Sequence, residues 1–467
     1  MKSNSNSNSV VDFKIYGGAD AVTGSNFMLS FDSNYRLLID CGLTQGSDGL
    51  EARNWQEFAY DPARVNDLII THAHMDHIGL IGKLVAEGFT GTIHSTTATK
   101  DLARVMLEDG LRIVQYNAKR REVEPLWTED DLNNAFSNWQ TYEYHELISL
   151  HDGLVTVEFS DAGHILGSAM ARISYRNKSI TFTGDLGNSP SPLLRDTEPV
   201  TNSDMLVMEA VYGNRNHQNR DDRIGQLQDV VQRGIDRGGA IIIPAFSLER
   251  TQMLLYELNE LVESGRLPEI PVFLDSPLAI KVLDIYEQHT SYFNDAAKND
   301  IKSGDDIFRF PGLQITKSKE DSKAIKHVPG PKIIIAGSGM SHAGRVLFHE
   351  LEYLDEPETT LFFVGYQGPG TVGRQLLEGN KYVRIMGRKI QARAAIESLL
   401  SYSSHKDMQH LHELAVGASK NGTNQIYVVL SEPKVAVSFS QQLIEDPAIE
   451  AKVITPELGQ EFKLDFS

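Results

Sequence analysis

From residue 11 onward, short apolar runs alternate with turns rich in Gly, Asp and Asn. The runs at 27–31, 36–39, 67–70, 91–94, 155–159 and 179–183 have strand length and turn-forming borders, and they predict the strands of a layered α/β domain. A further run from Met205 to Met208 ends in Glu209, and the polar segment NRNHQNRDDR at 214–223 then marks a boundary. Beyond it the rhythm changes. GGAIIIPAF at 238–246, IPVFLDSP at 270–277, PKIIIAGSG at 331–339 and TTLFFVGYQ at 359–367 are almost continuously apolar and are separated by helix-like stretches. That is the pattern of a parallel sheet covered on both faces. It predicts a second α/β domain over 214–390, with the charged stretch 298–330 as a long excursion inside it. The remainder, 391–467, carries a helix-like stretch at 407–418 and a strand at 424–430. The opening SNSNSNS at 3–9 has nothing apolar to bury, so residues 1–10 are expected to be a disordered tail.

The chain has 467 residues, 41% of them apolar, enough for more than one core. No run reaches the ~18–20 apolar residues of a membrane helix, and the first thirty residues lack the basic-then-apolar order of a secretory signal. A cytoplasmic location without a membrane partner is the expectation. The one cysteine, Cys41, excludes an internal disulfide and a cysteine-rich zinc module, so any metal must be held by His and carboxylates. A net charge of −19 disfavours polyanion binding over most of the surface. A nucleic-acid role therefore needs a local positive site, which divalent cations in a cleft supply.

The candidate chemistry begins with THAHMDH at 71–77, between an apolar run at 68–70 and a helix-like pattern of Ile78, Ile81, Leu84 and Val85 that ends near Gly88. Alternate imidazoles on an extended segment point to one side, and a tight turn then carries Asp76 and His77 toward a neighbouring position. One segment can thereby serve two adjacent metals. DAGHILGSA adds His164 and TFTGDLGN adds Asp185, each after a strand, while LLIDCGLTQG places Asp40 at a strand end as a hydrogen-bonding support for a ligand. Taken singly, such a His or Asp is more often a cap or a solvated residue.

Asp40, HAHMDH, His164 and Asp185 in this order resemble the metallo-β-lactamase superfamily, and VTGS at 22–25 with DCGLTQG is similar to its RNA-processing branch. EAVYGNR from Glu209, IPAFSLERTQ at 243–252, DSPLA at 275–279, GSGMSHAGR at 337–345, GYQGPGTVGR at 365–374 and SYSSHKD at 401–407 resemble the β-CASP nuclease family. That family includes bacterial and archaeal ribonucleases and the endonuclease of mRNA 3′-end formation. The resemblance runs from residue 11 to about 440. It implies an αββα metallo-β-lactamase sandwich over 11–213, interrupted by a β-CASP α/β domain over 214–390 and completed by 391–467, with the active site between the two. It implies zinc: one ion on His72, His74 and His164, with Asp185 bridging to a second on Asp76 and His77. The implied reaction is cleavage of RNA phosphodiesters, endo- or exonucleolytic, by a metal-activated hydroxide. Asp76, Glu209 and His405 are the catalytic set, with His405 as general acid and Glu209 as its orienting partner. Ser338, Gly339, Arg345, Gly373 and Arg374 are the expected phosphate-binding residues. Single-stranded RNA is the implied partner, and a homodimer the implied assembly.

One position departs from the family pattern. The last strand normally carries a metal-binding histidine, and YVVLSEP puts Leu430 there, with all fifteen histidines at or before His412. Leucine has no donor, so the second ion is left with Asp76, His77, Asp185 and water, and weaker binding is expected. Three readings stay open: an active phosphodiesterase with one or two metals, a non-catalytic RNA-binding or processing-complex subunit, and a metallo-hydrolase of a smaller substrate.

Overall fold

The computed structural model describes residues 10–466 apart from 33, 47, 218–221 and 369. Of the expected tail at 1–10, residues 1–9 lie outside the described residues, as does the middle of the boundary run, 218–221, while Val10 already opens the strand Val10–Gly17. The chain forms two compact units: one of residues up to Ser189, Asp196–Asn216 and His405–Ser467, the other of Pro190–Arg195 and His217–Ser404.

The first unit is a sandwich of two seven-stranded sheets. One runs, edge to edge, through Glu461–Asp465, Val10–Gly17, Asn26–Phe31, Tyr35–Ile39, Asp67–Ile69, Thr92–Thr96 and Trp139–Tyr142. The other runs through Lys452–Ile454, Gln425–Val429, Met205–Glu209, Lys178–Phe182, Ala169–Tyr175, Val155–Asp161 and Leu147–Leu150. Alternation puts Phe13, Leu29 and Leu37 of the first sheet and Val157, Ile173, Phe182, Val207 and Tyr427 of the second into one buried layer between them. The outer face of the second sheet is covered by the helices Met408–Lys420 and Pro433–Glu445, through Leu411, Ala415, Phe439 and Leu443. Helices Thr97–Arg121 and Glu129–Ser137 lie on the first sheet's side. This is the αββα arrangement. The last segment supplies one strand to the first sheet, two to the second and two helices, so the chain must return before either sheet is complete.

The second unit is built on a six-stranded sheet ordered Leu313–Ile315, Val272–Leu274, Lys332–Ala336, Ala240–Pro244, Thr360–Phe363 and Ala395–Ser398. Every pairing in it is parallel, as the unbroken apolar runs predict. Three expectations shift. The return to the first unit comes at His405 and not at 391, because Ala395–Ser398 pairs in register with Thr360–Phe363 and extends the second unit's sheet. The stretch 298–330 is no mere excursion, since Leu313–Ile315 forms that sheet's edge strand. The helix expected after the histidine motif is two short ones, Met75–Ile78 and Ile81–Ala86. They break at Gly79, where a Cβ would lie 2.4 Å from the Met75 carbonyl oxygen. Among the described residues no helix is long and apolar enough to cross a membrane.

Phe13 ties the two sheets of the sandwich. It is fully buried, edge-on to Phe182 at 5.6 Å and to Tyr427 at 5.3 Å, both on the opposite sheet. Phe13→Ala leaves an aromatic-sized cavity and is expected to destabilise the chain by ~3–5 kcal/mol, read as a lower denaturation midpoint in urea; a loss under ~1 kcal/mol would show that the layer collapses around the gap.

Candidate metal centre

The histidine segment is held by close backbone contact with the segment after Asp40. Cys41 N–H donates to the His77 carbonyl at 2.8 Å, Leu43 N–H to Met75 at 2.9 Å, and Ser25 N–H to Asp76 at 2.9 Å. Gly42 is required there: a Cβ would fall 1.5 Å from the Asp76 carbonyl oxygen. The 40–42 and 72–77 motifs are therefore one structural element in two pieces. His164 sits in the turn after Val155–Asp161, its N–H donating to Ser168 Oγ at 2.9 Å. A second glycine approach, Gly187 against the Gly163 carbonyl, brings the Asp185 loop alongside that turn, a Cβ at Gly187 falling 1.7 Å from that oxygen.

These loops bring all the expected ligands together within the first unit. His74 Nδ1 lies 3.1 Å from His72 Nε2 and 3.2 Å from His164 Nε2. Asp185 Oδ2 is 3.4 Å from His72 Nε2 and 3.6 Å from His164 Nε2, while its Oδ1 is 3.3 Å from His77 Nε2. Two donor groups result, His72, His74, His164 and Asp185 in one and Asp76, His77 and Asp185 in the other, with Asp185 shared. The side chain of Asp40 is buried and accepts from Ser25 Oγ at 2.9 Å, from Thr71 N–H at 2.9 Å and from His77 Nδ1 at 2.6 Å. With Nδ1 engaged by Asp40, His77 turns Nε2 into the cluster, where that buried atom has no hydrogen-bond partner.

The electrostatics fit a cation. Burial holds the pKa of His72, His74 and His164 below the ordinary imidazole value, keeping lone pairs available for a metal. His77 moves the other way: burial opposes its charge, but Asp185 and Asp40 outweigh it. Burial likewise opposes ionisation of Asp185, and His77 and His72 overcome it, holding the carboxyl well below the usual range. A knot of ring nitrogens and carboxylates converging at this spacing, with an orphaned Nε2 among them, has the chemistry of a divalent-ion site built from N and O donors. Beside it, His405 Nδ1 lies 3.1 Å from Glu209 Oε1. Glu209 is fully buried at the end of Met205–Glu209, and its two oxygens also accept from Leu186 N–H and Val211 N–H, each at 2.9 Å. Burial opposes a charged His405, yet Glu209 pushes its pKa up to about 9. Asp185, Glu209 and His405 also lie close enough to form a third donor group.

The chain matches the model of the metallo-beta-lactamase superfamily domain over residues 28–209 and that of the Beta-Casp domain over 251–376. A ribonuclease of Thermus thermophilus is 35% identical over 396 residues, covering 85% of this chain and 88% of its own length. The chain belongs to the β-CASP family of metallo-β-lactamase-fold ribonucleases. A transcription termination factor of Methanosarcina mazei is 29% identical, covering 94% of this chain and 70% of its own. A crystal structure of a protein of unknown function from Enterococcus faecalis V583 superposes with a TM-score of 0.58 at 13% identity, covering 97% of this chain and 100% of that one, a likeness of fold alone.

In this β-CASP chain the expected phosphate-binding residues divide. Gly339 and Gly373 pack against the residues of two neighbouring loops: a Cβ at Gly339 would meet the Phe246 ring at 2.7 Å, and one at Gly373 would meet Gln367 Oε1 at 1.9 Å. Gln367 Nε2 donates to the Gly339 carbonyl at 2.9 Å and so ties the two loops. Ser338 Oγ accepts from Ala343 N–H at 3.1 Å within its own loop. Arg345, expected on phosphate, instead turns inward, its Nη1 donating to Asp275 Oδ1 at 2.6 Å and to the Thr316 carbonyl at 3.2 Å. Arg374 pairs with Glu378 one turn on, at 2.7 Å. Leu430 lies in the layer between the sheets, at φ 50°, with its side chain over Gly18.

Sequence reading missed Thr71, Ser25 and Ser168, whose hydroxyls hold the ligands in place and leave no periodic signal. It also missed the buried carboxylate of Asp275, which receives Thr316 Oγ1 and Ser322 Oγ at 2.6 Å and His349 Nε2 at 2.7 Å besides Arg345. Burial opposes its ionisation, but His349, Ser322, Thr316 and Arg345 outweigh that and hold it well below the carboxylate range.

Two outcomes are expected. Asp40→Asn removes the negative charge that orients His77 and weakens metal binding by about 10–100-fold, measured by competition with a chromogenic chelator; unchanged affinity would mean that the backbone alone positions the ring. Glu350 is buried in the second unit, with Oε1 accepting from Ser341 Oγ and Oε2 unpartnered, and burial raises its pKa to about 7. Folded, it keeps a proton that the unfolded chain releases near 4.5, so its contribution to stability falls between pH 4.5 and about 7 and stays low above. Glu350→Gln should therefore raise the unfolding temperature at about pH 8 and leave it unchanged at about pH 4.5, and an equal shift at both would refute the titration.

Proposed function

We propose that the chain is a zinc-dependent phosphodiesterase that cleaves single-stranded RNA. The observation that carries this reading is the Glu209–His405 pair set against Asp185, the residue that joins the two ligand groups. His72, His74, His164 and Asp185 would hold one ion, and Asp76, His77 and Asp185 a second. When bound, such ions supply an activated water at neutral pH and offset the negative charge that builds on a phosphoryl group. Asp40 fixes the His77 ring, and Thr71 fixes Asp40 by donating both N–H and Oγ1–H to it. His405 gives a proton to the departing oxygen: Glu209 holds Nδ1, so Nε2 is the nitrogen that transfers, and the same carboxylate stabilises the imidazolium before transfer. The fixed donors to Glu209, Leu186 N–H and Val211 N–H, keep that carboxylate from swinging away.

Leu430 supports a second reading. Its place in the apolar layer gives the second ion one donor fewer, and a chain that keeps RNA but not turnover would serve as a processing-complex subunit. The deciding measurement is cleavage of end-labelled single-stranded RNA by chain dialysed against chelator and reloaded with zinc. Cleavage should require the metal, disappear in Asp76→Ala, and fall ~10²–10⁴-fold in His405→Ala with RNA affinity kept. RNA binding without cleavage by the zinc-loaded parent would establish the subunit reading instead, and turnover of small phosphodiesters without competition by RNA would establish the small-substrate hydrolase.

A further inference from the structure

The strands Tyr382–Ile385 and Arg388–Gln391 form a separate two-stranded hairpin in the second unit. Its inner side is apolar: Val383 and Ile385 are buried, and Ile390 packs against the same core. The outer side carries Tyr382, Arg384, Lys389 and Gln391, because Tyr382 pairs with Gln391 and Arg384 with Lys389. Between Gly379 and Ile396 there are five basic residues and no acidic one, in a chain of net charge −19. Arg393 pairs with Asp355 at 3.2 Å; among the described residues Lys381, Arg384, Arg388 and Lys389 have no carboxylate partner.

Two features of this hairpin work against its own stability. Arg384 and Lys389 are direct cross-strand neighbours, and like charges at that position repel. Met386 occupies the first central position of the two-residue turn at φ 48°, followed by Gly387 at φ 81°, a conformation suited to Asn, Asp or Gly. Its apolar side chain is 56% exposed. Tyr382 is exposed as well, with Lys389 Nζ 4.5 Å from its ring centre. A flat aromatic flanked by cations without a carboxylate partner offers what single-stranded nucleic acid needs: a stacking face for a base and charge for the phosphates on either side.

We propose that this hairpin is an RNA-binding site outside the metal centre, with Arg384, Lys389 and Arg388 on the phosphate backbone and Tyr382 under a base. The proposal rests on the reading that RNA is the substrate. The test uses the full chain carrying Asp76→Ala, so that RNA stays intact, and follows binding of a labelled single-stranded RNA of mixed sequence by fluorescence anisotropy across a salt series. Arg384→Glu should weaken binding at least about tenfold and make the salt dependence shallower by about one to two. The same change sets an acid opposite Lys389, so the unfolding temperature should hold or rise; a purely structural role for Arg384 predicts the reverse. Lys389→Glu is the companion variant, because it leaves in place the bond from Arg384 Nη1 to the Gly387 carbonyl at 2.9 Å. Tyr382→Ala should weaken binding about tenfold with an unchanged salt slope. If the parent binds RNA and all three variants bind as tightly, the hairpin proposal is overturned while the RNA reading stands. If neither this parent nor the zinc-loaded native chain engages RNA, both fall. Polyglutamate bound as tightly as RNA, and lost in the same variants, would assign the hairpin to an acidic protein and overturn the RNA assignment.

Discussion

The buried carboxylate of Asp40 is the interaction on which the metal centre depends. It stands at the end of Tyr35–Ile39, accepts from Thr71 and Ser25, and reaches His77 Nδ1 at 2.6 Å. Those contacts pin the loop after Asp67–Ile69 to its neighbouring strand, and the three backbone bonds to Asp76, His77 and Met75 lock the rest of it. A carboxylate fully removed from water is tolerable only because every strong donor around it is already aimed at it. The reward of that arrangement is a ring whose second nitrogen has one place to point. The protein's own hydrogen bonds thus fix the orientation of the His77 ring toward the other donors.

How much of this was legible in the sequence depended on whether a residue acts through its own type or through its neighbours. His72, His74, Asp76 and His77 announce themselves because they share one short segment, whereas His164 and Asp185 were legible only through their order in the family pattern; the structure places all six in one cluster. The parallel sheet of the second unit was legible for a similar reason, since unbroken runs such as Ala240–Pro244 and Lys332–Ala336 have few other uses. The long helix Thr97–Arg121 was not, because its buried face includes Ala103, Gly110 and Ala118, small residues that blur the period. The return point was misplaced for a different reason. Ala395–Ser398 is short and half-exposed, and only its pairing with Thr360–Phe363 reveals to which unit it belongs.

Arg345 shows the limit of motif reading. In sequence, an arginine after a glycine- and serine-rich turn suggests an anion from outside; in the fold its anion is Asp275, already inside. The carboxylate has three further donors, so the guanidinium serves as one brace among four that join the loop after Lys332–Ala336 to the neighbouring strand ends. Removing that arginine would leave a buried carboxylate with weakened compensation, which is a stability effect before it is a binding effect. A functional role assigned from composition alone thus has to survive the question of which partner is nearer.

Charge distribution joins these observations. With a net charge of −19 the chain repels polyanions over most of its surface, so recognition of RNA has to be local. On the proposed reading the metal centre would be one such place, because bound divalent cations would invert the sign of a site lined by Asp76, Asp185 and Glu209. The hairpin proposed above would be the other, and it reaches positive charge by a different route: cations placed together without acids, at the expense of cross-strand repulsion between Arg384 and Lys389. The general acidity then has a use. It would leave a flexible anionic chain few places to rest, so that weak contacts at the proposed hairpin site would compete against a repulsive surface and not against scattered neutral ones.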